Sequence, residues 1–330
     1  MRVFFGIVVL LPIIGLGQIG GQSAFQSLNL ATNPRAAGLA GSTISLADGD
    51  VSQFFENPAI LDSIEAGNIF FHFNPYFADA NIYSLAYSFS VKEMDGFAAG
   101  LNYVNFGSFE MRDESGESLG SFSANDYVVT IGKAHRLGPF ALGANIKFAS
   151  STIDSYSSSA LLFDVGGIFQ INKNWSMGMV FENIGVKLSD YTELTSPPIP
   201  FDVKLGMSFK PEYMPLRFTL TSSNLVDQNE VIGEETTGRS NNGVDKVVQR
   251  INIGAELLLS ENFQLLFGYN HKRKQELRLE EIGGGAGFSF GLMLNVKNIQ
   301  LRYSRATYHA AGGTSFISIQ TNFKKFKSIL

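Results

Sequence analysis

Residues 83–91 read Tyr-Ser-Leu-Ala-Tyr-Ser-Phe-Ser-Val, an alternation of large apolar side chains with small or polar ones. A period of two places the two kinds of side chain on opposite faces of a β-strand. The same alternation recurs in residues 142–148, 201–209, 251–257 and 299–303. The sequence therefore predicts sheets with one apolar face, which a soluble sandwich or a membrane barrel would both contain.

The face opposite the apolar one carries small, polar or charged side chains. Its charged members include Lys147, Lys204, Arg217, Glu256 and Arg302. A membrane barrel turns its apolar residues toward lipid and its polar residues toward the lumen. The pattern therefore favours an all-β fold, a transmembrane antiparallel β-barrel, over a soluble sandwich.

The connections between the predicted strands alternate in length. We predict fourteen strands, near 68–77, 81–91, 96–106, 124–136, 139–150, 160–171, 174–185, 200–210, 215–225, 249–259, 262–272, 283–295, 298–306 and 314–323. From the second strand onward every other join is short, while the longest, 226–248, lies among the remaining joins; the first join, 78–80, is also tight. Short periplasmic turns and longer outer loops are typical of outer-membrane barrels. An even strand count places both chain ends on the periplasmic side.

The composition agrees with a barrel and excludes several other classes. Charged residues make up 17% of the 330 residues, below the roughly 25% of an ordinary soluble domain. The 34 glycines and 29 phenylalanines suit a sheet with tight turns and aromatic girdles. With no cysteine, a disulfide scaffold, a thiolate metal site and a cysteine nucleophile are excluded. The net charge of −5, without a basic stripe, argues against a nucleic-acid partner.

The first residues have the pattern of an export signal. Arg2 precedes an apolar run, residues 3–16, which Gly6 and Pro12 interrupt. The run is shorter than the 18 or so apolar residues of a spanning helix, so we prefer a signal peptide over an anchor helix. We predict a signal peptide over 1–17, a plug or hatch segment over 18–67, an outer-membrane barrel over 68–323 and a short basic tail over 324–330.

The segment before the barrel does not alternate cleanly. It contains Asn33-Pro34-Arg35-Ala36-Ala37-Gly38 and later Asn57-Pro58-Ala59. Proline lacks a backbone donor and biases its predecessor away from helix, so both sites predict turns or irregular backbone. Such backbone is tolerated at membrane depth only inside a protein-lined space. We therefore expect this segment to plug or cap the lumen.

These motifs carry a resemblance to a known family. The run at 35–41, followed by an acidic stretch and by residues 57–59, resembles the PorV/PorQ family, which belongs to the wider FadL-like group of fourteen-stranded barrels. The resemblance spans essentially the whole mature chain. It marks the following plug residues as the family motif: Asn33, Pro34, Arg35, Gly38, Gly41, Asn57, Pro58 and Ala59.

The resemblance implies an outer-membrane component of the type IX secretion system of Bacteroidetes. Such a protein anchors a surface-exposed, PorZ-like partner within an attachment complex that also contains PorU and PorV. That complex links secreted cargo to surface lipopolysaccharide. A cargo shuttle like PorV is an alternative within the same class.

Three predicted outer loops are candidate partner-binding sites. Their residues are Tyr191, Pro197 and Pro198, then Glu234, Glu235 and Arg239, and finally Lys272, Arg273 and Lys274. The second loop is mainly acidic, and the third begins with a basic run. Charge of this kind either guides a partner into register or is simply solvated and screened.

Other functional classes find less support in the residues. A FadL-like transporter of hydrophobic solutes is the main alternative, although the predicted inward residues are mostly Ser, Asn, Gly and charged. A polar porin would leave the segment before the barrel unexplained. His72, His135, His271 and His309 are scattered and predict no metal site. The glycine run 283–287 lacks the Lys-Ser/Thr ending of a phosphate loop, and no motif indicates an enzyme or a cofactor.

Overall fold

The computed structural model describes residues 24–192, 197–226, 247–276, 285–309 and 312–327. The predicted signal peptide, 1–17, therefore lies outside the described residues. The strands are β1 (Asn68–Pro75), β2 (Asn81–Val91), β3 (Met94–Arg112), β4 (Ser118–Leu137), β5 (Phe140–Ile153), β6 (Tyr156–Gln170), β7 (Trp175–Ser189), β8 (Asp202–Phe209), β9 (Leu216–Ser222), β10 (Ile251–Leu258), β11 (Phe263–Asn270), β12 (Phe288–Val296), β13 (Ile299–His309) and β14 (Gly312–Asn322). Each strand pairs antiparallel with its neighbours in sequence, and β1 pairs with β14, so the sheet is a closed barrel. The predicted fold class is confirmed.

The two ends of the barrel differ. Asn68 pairs with Asn322, so the first and last strands begin and finish at the same end. The tight turns after β2, β4, β6, β8, β10 and β12 lie at that end too, which we call the turn end. The opposite end, with the longer connections, is the loop end.

The hairpin of β3 and β4 is longer than the sequence predicted. Residues 107–123 were expected to form a loop, but β3 continues to Arg112 and β4 begins at Ser118. The pairing shifts register between Asn105 and Ser108, which interrupts the period of two. The alternating pattern in the sequence therefore stops at a point where the strand itself continues.

The strands β8 to β11 are short by comparison. They have only seven or eight residues each, so the barrel wall is lower on that side.

The outer surface is apolar, whereas the inner surface carries the buried polar side chains of the wall together with apolar side chains that pack against the plug. Outward side chains such as Ile131, Leu142 and Phe267 are each more than half exposed, while Thr130 and Asn145, their inward neighbours, are fully buried. An apolar surface of this extent on a soluble monomer would be unusual, and it fits a lipid-facing belt. No helix of the described residues is long and apolar enough to cross a membrane.

Aromatic side chains gather at both ends of the belt. Cross-strand pairs Phe89–Phe97, Phe140–Phe169 and Trp175–Phe209 lie at the turn end, with ring centroids 5.8, 4.6 and 4.1 Å apart. Phe73–Tyr83 and Tyr269–Phe288 lie at the loop end, at 5.2 and 5.0 Å. These are the two aromatic girdles of a membrane barrel.

Residues 24–67 lie inside the lumen, and we call them the plug. The plug contains the 3₁₀ helices η1 (Gln26–Asn29), η2 (Val51–Phe55) and η3 (Pro58–Ser63) and the short helix α1 (Pro34–Gly38). η3 packs against β3 to β6, and α1 packs against β11 to β14. Two further short helices, α2 (His271–Glu276) and α3 (Phe323–Lys327), follow β11 and β14.

Lumen-facing glycines let the plug approach the wall closely. A Cβ on Gly143 would lie 2.4 Å from the carbonyl carbon of Pro58, and one on Gly166 would lie 2.1 Å from Asn57 Oδ1. Gly178 and Gly268 face backbone atoms of the plug at 2.4 and 2.3 Å in the same way. A glycine in a strand often marks such a close backbone approach. Part of the high glycine content therefore serves plug packing and not turns.

Candidate functional site

Helix α1 is built by the first half of the plug motif. Asn33 precedes it, and its side chain accepts a 2.8 Å hydrogen bond from Ala36 N, while Pro34 occupies the first helical position. Gly41 ends the turn with φ +115°, and its N–H donates to Ala36 O at 2.7 Å. A Cβ on Gly38 would lie 2.7 Å from Ser304 Oγ, so glycine is needed for contact with β13.

Asn57 joins three parts of the molecule. Its side-chain oxygen accepts from Ala59 N at 3.0 Å and so caps η3, which Pro58 begins. Its amide donates to Ile44 O at 2.7 Å and to Gly167 O of β6 at 3.4 Å. The second half of the motif therefore fixes the plug to itself and to the wall.

Arg35 lies at the centre of a buried ion-pair cluster. It is 3% exposed, and its two terminal nitrogens bind both oxygens of Asp48 at 2.6 Å each. Its Nε donates to Glu256 Oε1 of β10 at 2.9 Å. A bidentate guanidinium–carboxylate pair is geometrically specific, so this contact fixes α1 against the wall.

Two wall arginines complete this cluster. Arg217 of β9 pairs with Asp48 at 2.8 Å and also binds Glu256. Arg302 of β13 pairs with Asp50 at 3.0 Å. The cluster of Arg35, Asp48, Asp50, Arg217, Glu256 and Arg302, which we call the arginine cluster, thus balances three positive with three negative charges. It connects the plug to β9, β10 and β13.

The field of these arginines acts on the plug carboxylates. Burial alone would raise the pKa of Asp48, but the guanidiniums of Arg35 and Arg217 outweigh burial and hold that pKa well below its usual range. Glu56 differs, because burial raises its pKa against the opposing effects of Lys204 and the Ser42 hydroxyl. Asp48 therefore stays ionised as a structural anion.

A second charged cluster lies on the adjoining strands β5 to β8. Lys147 of β5 contacts Asp164 of β6 at 2.7 Å, and Lys204 of β8 contacts Glu182 of β7 at 2.7 Å. Glu56 of the plug accepts from Ser42 at 2.9 Å. The middle of the lumen is thus filled by charges that already have partners.

The lumen side of β3 to β6 is apolar at two levels near the loop end. The outer apolar patch consists of Phe109, Phe122, Ile153 and Tyr156, where Phe109 and Phe122 stack at 5.3 Å. The inner apolar patch consists of Val128, Ala149, Ala160 and Leu162. A polar layer of Asp126, Ser151 and Ser158 separates the two patches.

The plug covers the inner apolar patch with an aromatic ring. Phe25 and Leu28 pack against it, and Ile199 closes the side. Phe25 is only 3% exposed, although its backbone lies in the left-handed region at φ +53°. A non-glycine residue in that region costs of order 1–3 kcal/mol, so burial of the ring is opposed by local strain.

The predicted partner-binding residues fall into two groups. Glu234, Glu235 and Arg239 lie outside the described residues. Tyr191, Pro197 and Pro198 lie at the loop end beside the plug, where Pro198 O accepts from Ala24 N at 2.9 Å.

The basic run of α2 also lies close to the plug. Arg273 is buried, reaches Ala40 O at 3.5 Å and stacks 3.8 Å from the Tyr308 ring. Lys272 lies 3.9 Å from Glu276, and Lys274 lies 5.8 Å from the Tyr269 ring. The structure thus brings Pro198 and Arg273 to the plug from two loop-end connections that are four strands apart in the barrel.

Two of the histidines have contacts with aromatic or polar side chains. His72 is buried between Phe70 and Phe316, and His271 bonds Tyr269 and Gln275. Within the described ranges, no group of three or more potential acidic or histidine ligands could hold a metal ion.

Sequence reasoning missed most of the arginine cluster. It singled out Arg35 but not Asp48 or Asp50, and it treated Arg217, Glu256 and Arg302 only as a polar face. The usable signal was the presence of charges on inward positions of three strands, because buried charges require partners. Acidic residues just after the Arg35 motif were the available partners.

Comparison with known proteins supports the fold. No protein-family model matches the sequence, and no curated protein does. The chain is similar in structure to the Pseudomonas putida toluene transporter TodX, at 11% identity and a TM-score of 0.53 over 88% of this chain and 96% of that one. It is also similar to the monoaromatic hydrocarbon channel CymD, at 12% identity and a TM-score of 0.53 over 89% and 98%. At this level of identity the likeness shows a shared fold, and it does not extend to the PorV/PorQ family.

Proposed function

We propose that this protein is an outer-membrane channel for small hydrophobic molecules, and that the plug controls their passage. The inner apolar patch carries this proposal, because it encloses an aromatic ring, that of Phe25, on the lumen side of the wall near the loop end. A pocket that accepts a phenyl side chain has the size and chemistry to accept a monoaromatic hydrocarbon. TodX and CymD, which share the fold, are described as channels for such compounds.

The route would begin at the outer apolar patch. Ile153 and Tyr156 are 42% and 54% exposed there, and Phe109 is 41% exposed, so an apolar solute finds open contact area. The solute then displaces Phe25 from the inner apolar patch. Backbone strain at Phe25 lowers the cost of this exchange.

Passage beyond the inner apolar patch requires the plug to move. Below that level the plug touches lumen glycines at Gly143, Gly178 and Gly268, and ion pairs occupy the space between. A hydrocarbon has no polar groups with which to replace those contacts. Displacement of the plug backbone is therefore part of the proposed mechanism.

The polar lumen predicted from sequence was a reason to disfavour this function. The middle layers are indeed polar, with Asn145, Glu256 and Arg302 buried there. The inward positions of β4 to β6 near the loop end are apolar, as are inward positions nearer the turn end such as Phe70 and Ile168. At the inner apolar patch two of these side chains, Ala149 and Ala160, are alanines, which gave only a weak signal in the sequence.

The proposal is tested by uptake of radiolabelled toluene into intact cells that lack their own hydrocarbon channel. Expression of the wild-type chain should raise the initial rate several-fold. Phe109→Ser combined with Phe122→Ser should lower it, because the stacked rings form the exposed collecting surface. Leu119→Ser is the matched control: Leu119 belongs to the same hairpin, is 63% exposed and lies outside the stack.

Removal of the Phe25 ring should have the opposite effect on the uptake rate. Phe25→Ala empties the inner apolar patch and should raise the uptake rate, since the solute no longer competes with a side chain. Equal uptake by cells with and without folded wild-type barrel would overturn the proposal.

A second candidate function is the anchoring of a surface protein in the type IX secretion system. The observation that favours it is the projecting β3–β4 hairpin, whose acidic tip contains Glu110, Asp113, Glu114 and Glu117. Such a feature offers a partner both shape and charge. A PorZ-like protein, with PorU and PorV, would be the expected partners.

This second function predicts a stoichiometric complex. A tagged barrel, solubilised in mild detergent from its native membrane, should carry one surface protein, which deletion of the barrel gene releases into the medium. Isolation of the barrel alone, with surface attachment intact in the deletion strain, would remove this candidate.

A further inference from the structure

Asp126 of β4 is a buried carboxylate without a cation. It is 6% exposed and belongs to the polar layer between the outer and inner apolar patches. Among the described residues no lysine, arginine or histidine pairs with it, and the polar groups beside it are the neutral hydroxyls of Ser151 and Ser27. Carboxylates deeper in the lumen, such as Asp164 and Glu256, do have a lysine or arginine partner. Because a buried charge requires a partner, the position of Asp126 suits a cation from outside the chain.

The side chains between Asp126 and the loop end are apolar and partly open. Asp126 pairs with Ser151, and the next inward layer toward the loop end contains Ile153 and Tyr156. Successive inward layers of a sheet are about 6.7 Å apart. Tyr156 is 54% exposed and Phe109, further out, is 41% exposed. A solute that rests on this outer apolar patch can therefore place a polar group one layer deeper, against Asp126.

The β3–β4 hairpin gives the entrance to this site a negative charge. Its exposed tip has one basic residue, Arg112, against four acidic ones, Glu110, Asp113, Glu114 and Glu117. A surface field of one sign raises the local concentration of solutes of the opposite sign. Aromatic faces such as those of Phe109 and Tyr156 also attract cations. Charge and ring chemistry thus favour the same kind of solute, a cation that carries an aromatic ring.

We propose that this site binds arylalkylamines, with the aromatic ring on the outer apolar patch and the ammonium group on Asp126. The ammonium supplies the counter-charge that the carboxylate lacks, and a hydrogen bond between two charged groups is stronger than one between neutral groups. A spacer of one or two carbons between ring and nitrogen suits a separation of one layer. Tyr191, which interacts with the Ser151 hydroxyl and lies near Asp126, belongs to the same site. This inference rests on the proposed function and deepens it, because it names the polar group that a preferred solute of the channel carries.

Isothermal titration calorimetry of the purified, folded barrel in detergent tests this inference, with 2-phenylethylamine as the probe. The wild type should bind this amine about tenfold more tightly than 2-phenylethanol, which has the same ring and spacer without the charge. Asp126→Asn should abolish that preference, since it removes the charge at nearly constant volume. Asp154→Asn is the matched control, because Asp154 is an exposed carboxylate of the β5–β6 turn, and this variant should bind like the wild type.

The contribution of the rings has a test of its own. Phe109→Ser with Phe122→Ser changes only the exposed hairpin and should weaken the binding of both molecules. A wild type that binds the amine no more tightly than the alcohol would overturn the proposal without need of any variant. Equal affinity of the wild type and Asp126→Asn for the amine would overturn it as well.

Toluene uptake separates this inference from the proposed function. Toluene has no polar group, so Asp126→Asn should leave its uptake unchanged. A barrel that prefers the amine but takes up no toluene would refute the hydrocarbon channel and retain the amine site. Toluene uptake without any preference for the amine would refute the amine site and retain the channel.

Discussion

At the scale of single residues, the motif before the barrel has structural roles. Asn33 and Asn57 cap short helices, Gly38 allows close contact with β13, and Arg35 organises six charges. None of these side chains is exposed enough to meet a partner from solution. The motif thus specifies how the plug sits in the lumen.

Replacement of Arg35 by methionine tests the arginine cluster. The change leaves Asp48 and Glu256 with Arg217 alone, and loss of one member of a buried ion pair costs about 3 to 5 kcal/mol. We expect a decrease of that size in the free energy of unfolding, measured by urea unfolding in micelles through Trp175 fluorescence. Arg112→Ala, at an exposed pair with Glu110, should leave stability unchanged; equal effects of the two variants would contradict the role given to Arg35.

Two adjacent glycines of β6 provide a paired test of close packing. A Cβ on Gly166 would lie 2.1 Å from Asn57 Oδ1, whereas the nearest atom to one on Gly167 is 3.5 Å away. Overpacking of a closed interior costs typically about 1 to 3 kcal/mol, so Gly166→Ala should destabilise by that amount. Gly167→Ala should be neutral in the same unfolding assay. A neutral Gly166→Ala would show that the plug does not touch β6.

At the scale of elements, the strands and the presence of a plug could be predicted, but the contacts between plug and wall could not. Each strand can be recognised from a short stretch of sequence, because its side chains face lipid and lumen in alternation, as Leu142 and Asn145 do on β5. The longer β3–β4 hairpin was missed because a register shift after Asn105 interrupts that alternation. The contact of Arg35 with Glu256 spans 221 positions, and no local pattern encodes such a separation.

The cap of η3 gives a prediction at this scale. Asn57→Ala removes the acceptor for Ala59 N and the donor to Ile44 O. Loss of an N-cap costs about 0.5 to 2 kcal/mol, and the orphaned carbonyl adds to that. We expect faster proteolysis within residues 57–67 of the folded barrel. Asn172→Ala, at an exposed turn that Asn172 caps, is the control and should be cleaved like the wild type.

At the scale of the whole molecule, the barrel is a membrane wall around a plug that is held both by buried ion pairs and by buried apolar contacts. The apolar patches near the loop end lie on one side of this plug, on β3 to β6. The proposed hydrocarbon route requires that residues 24–67 occupy the lumen and that they move.

A tether between plug and wall tests this most directly. Ser45 Oγ and Ser208 Oγ lie 2.5 Å apart, close to the 2.05 Å of a disulfide, and the chain has no cysteine of its own. We predict that Ser45→Cys with Ser208→Cys cross-links on oxidation, that toluene uptake then falls several-fold, and that a reductant restores it, with each single variant unaffected. Failure to cross-link would contradict the position of the plug, and wild-type uptake by the cross-linked barrel would contradict its movement.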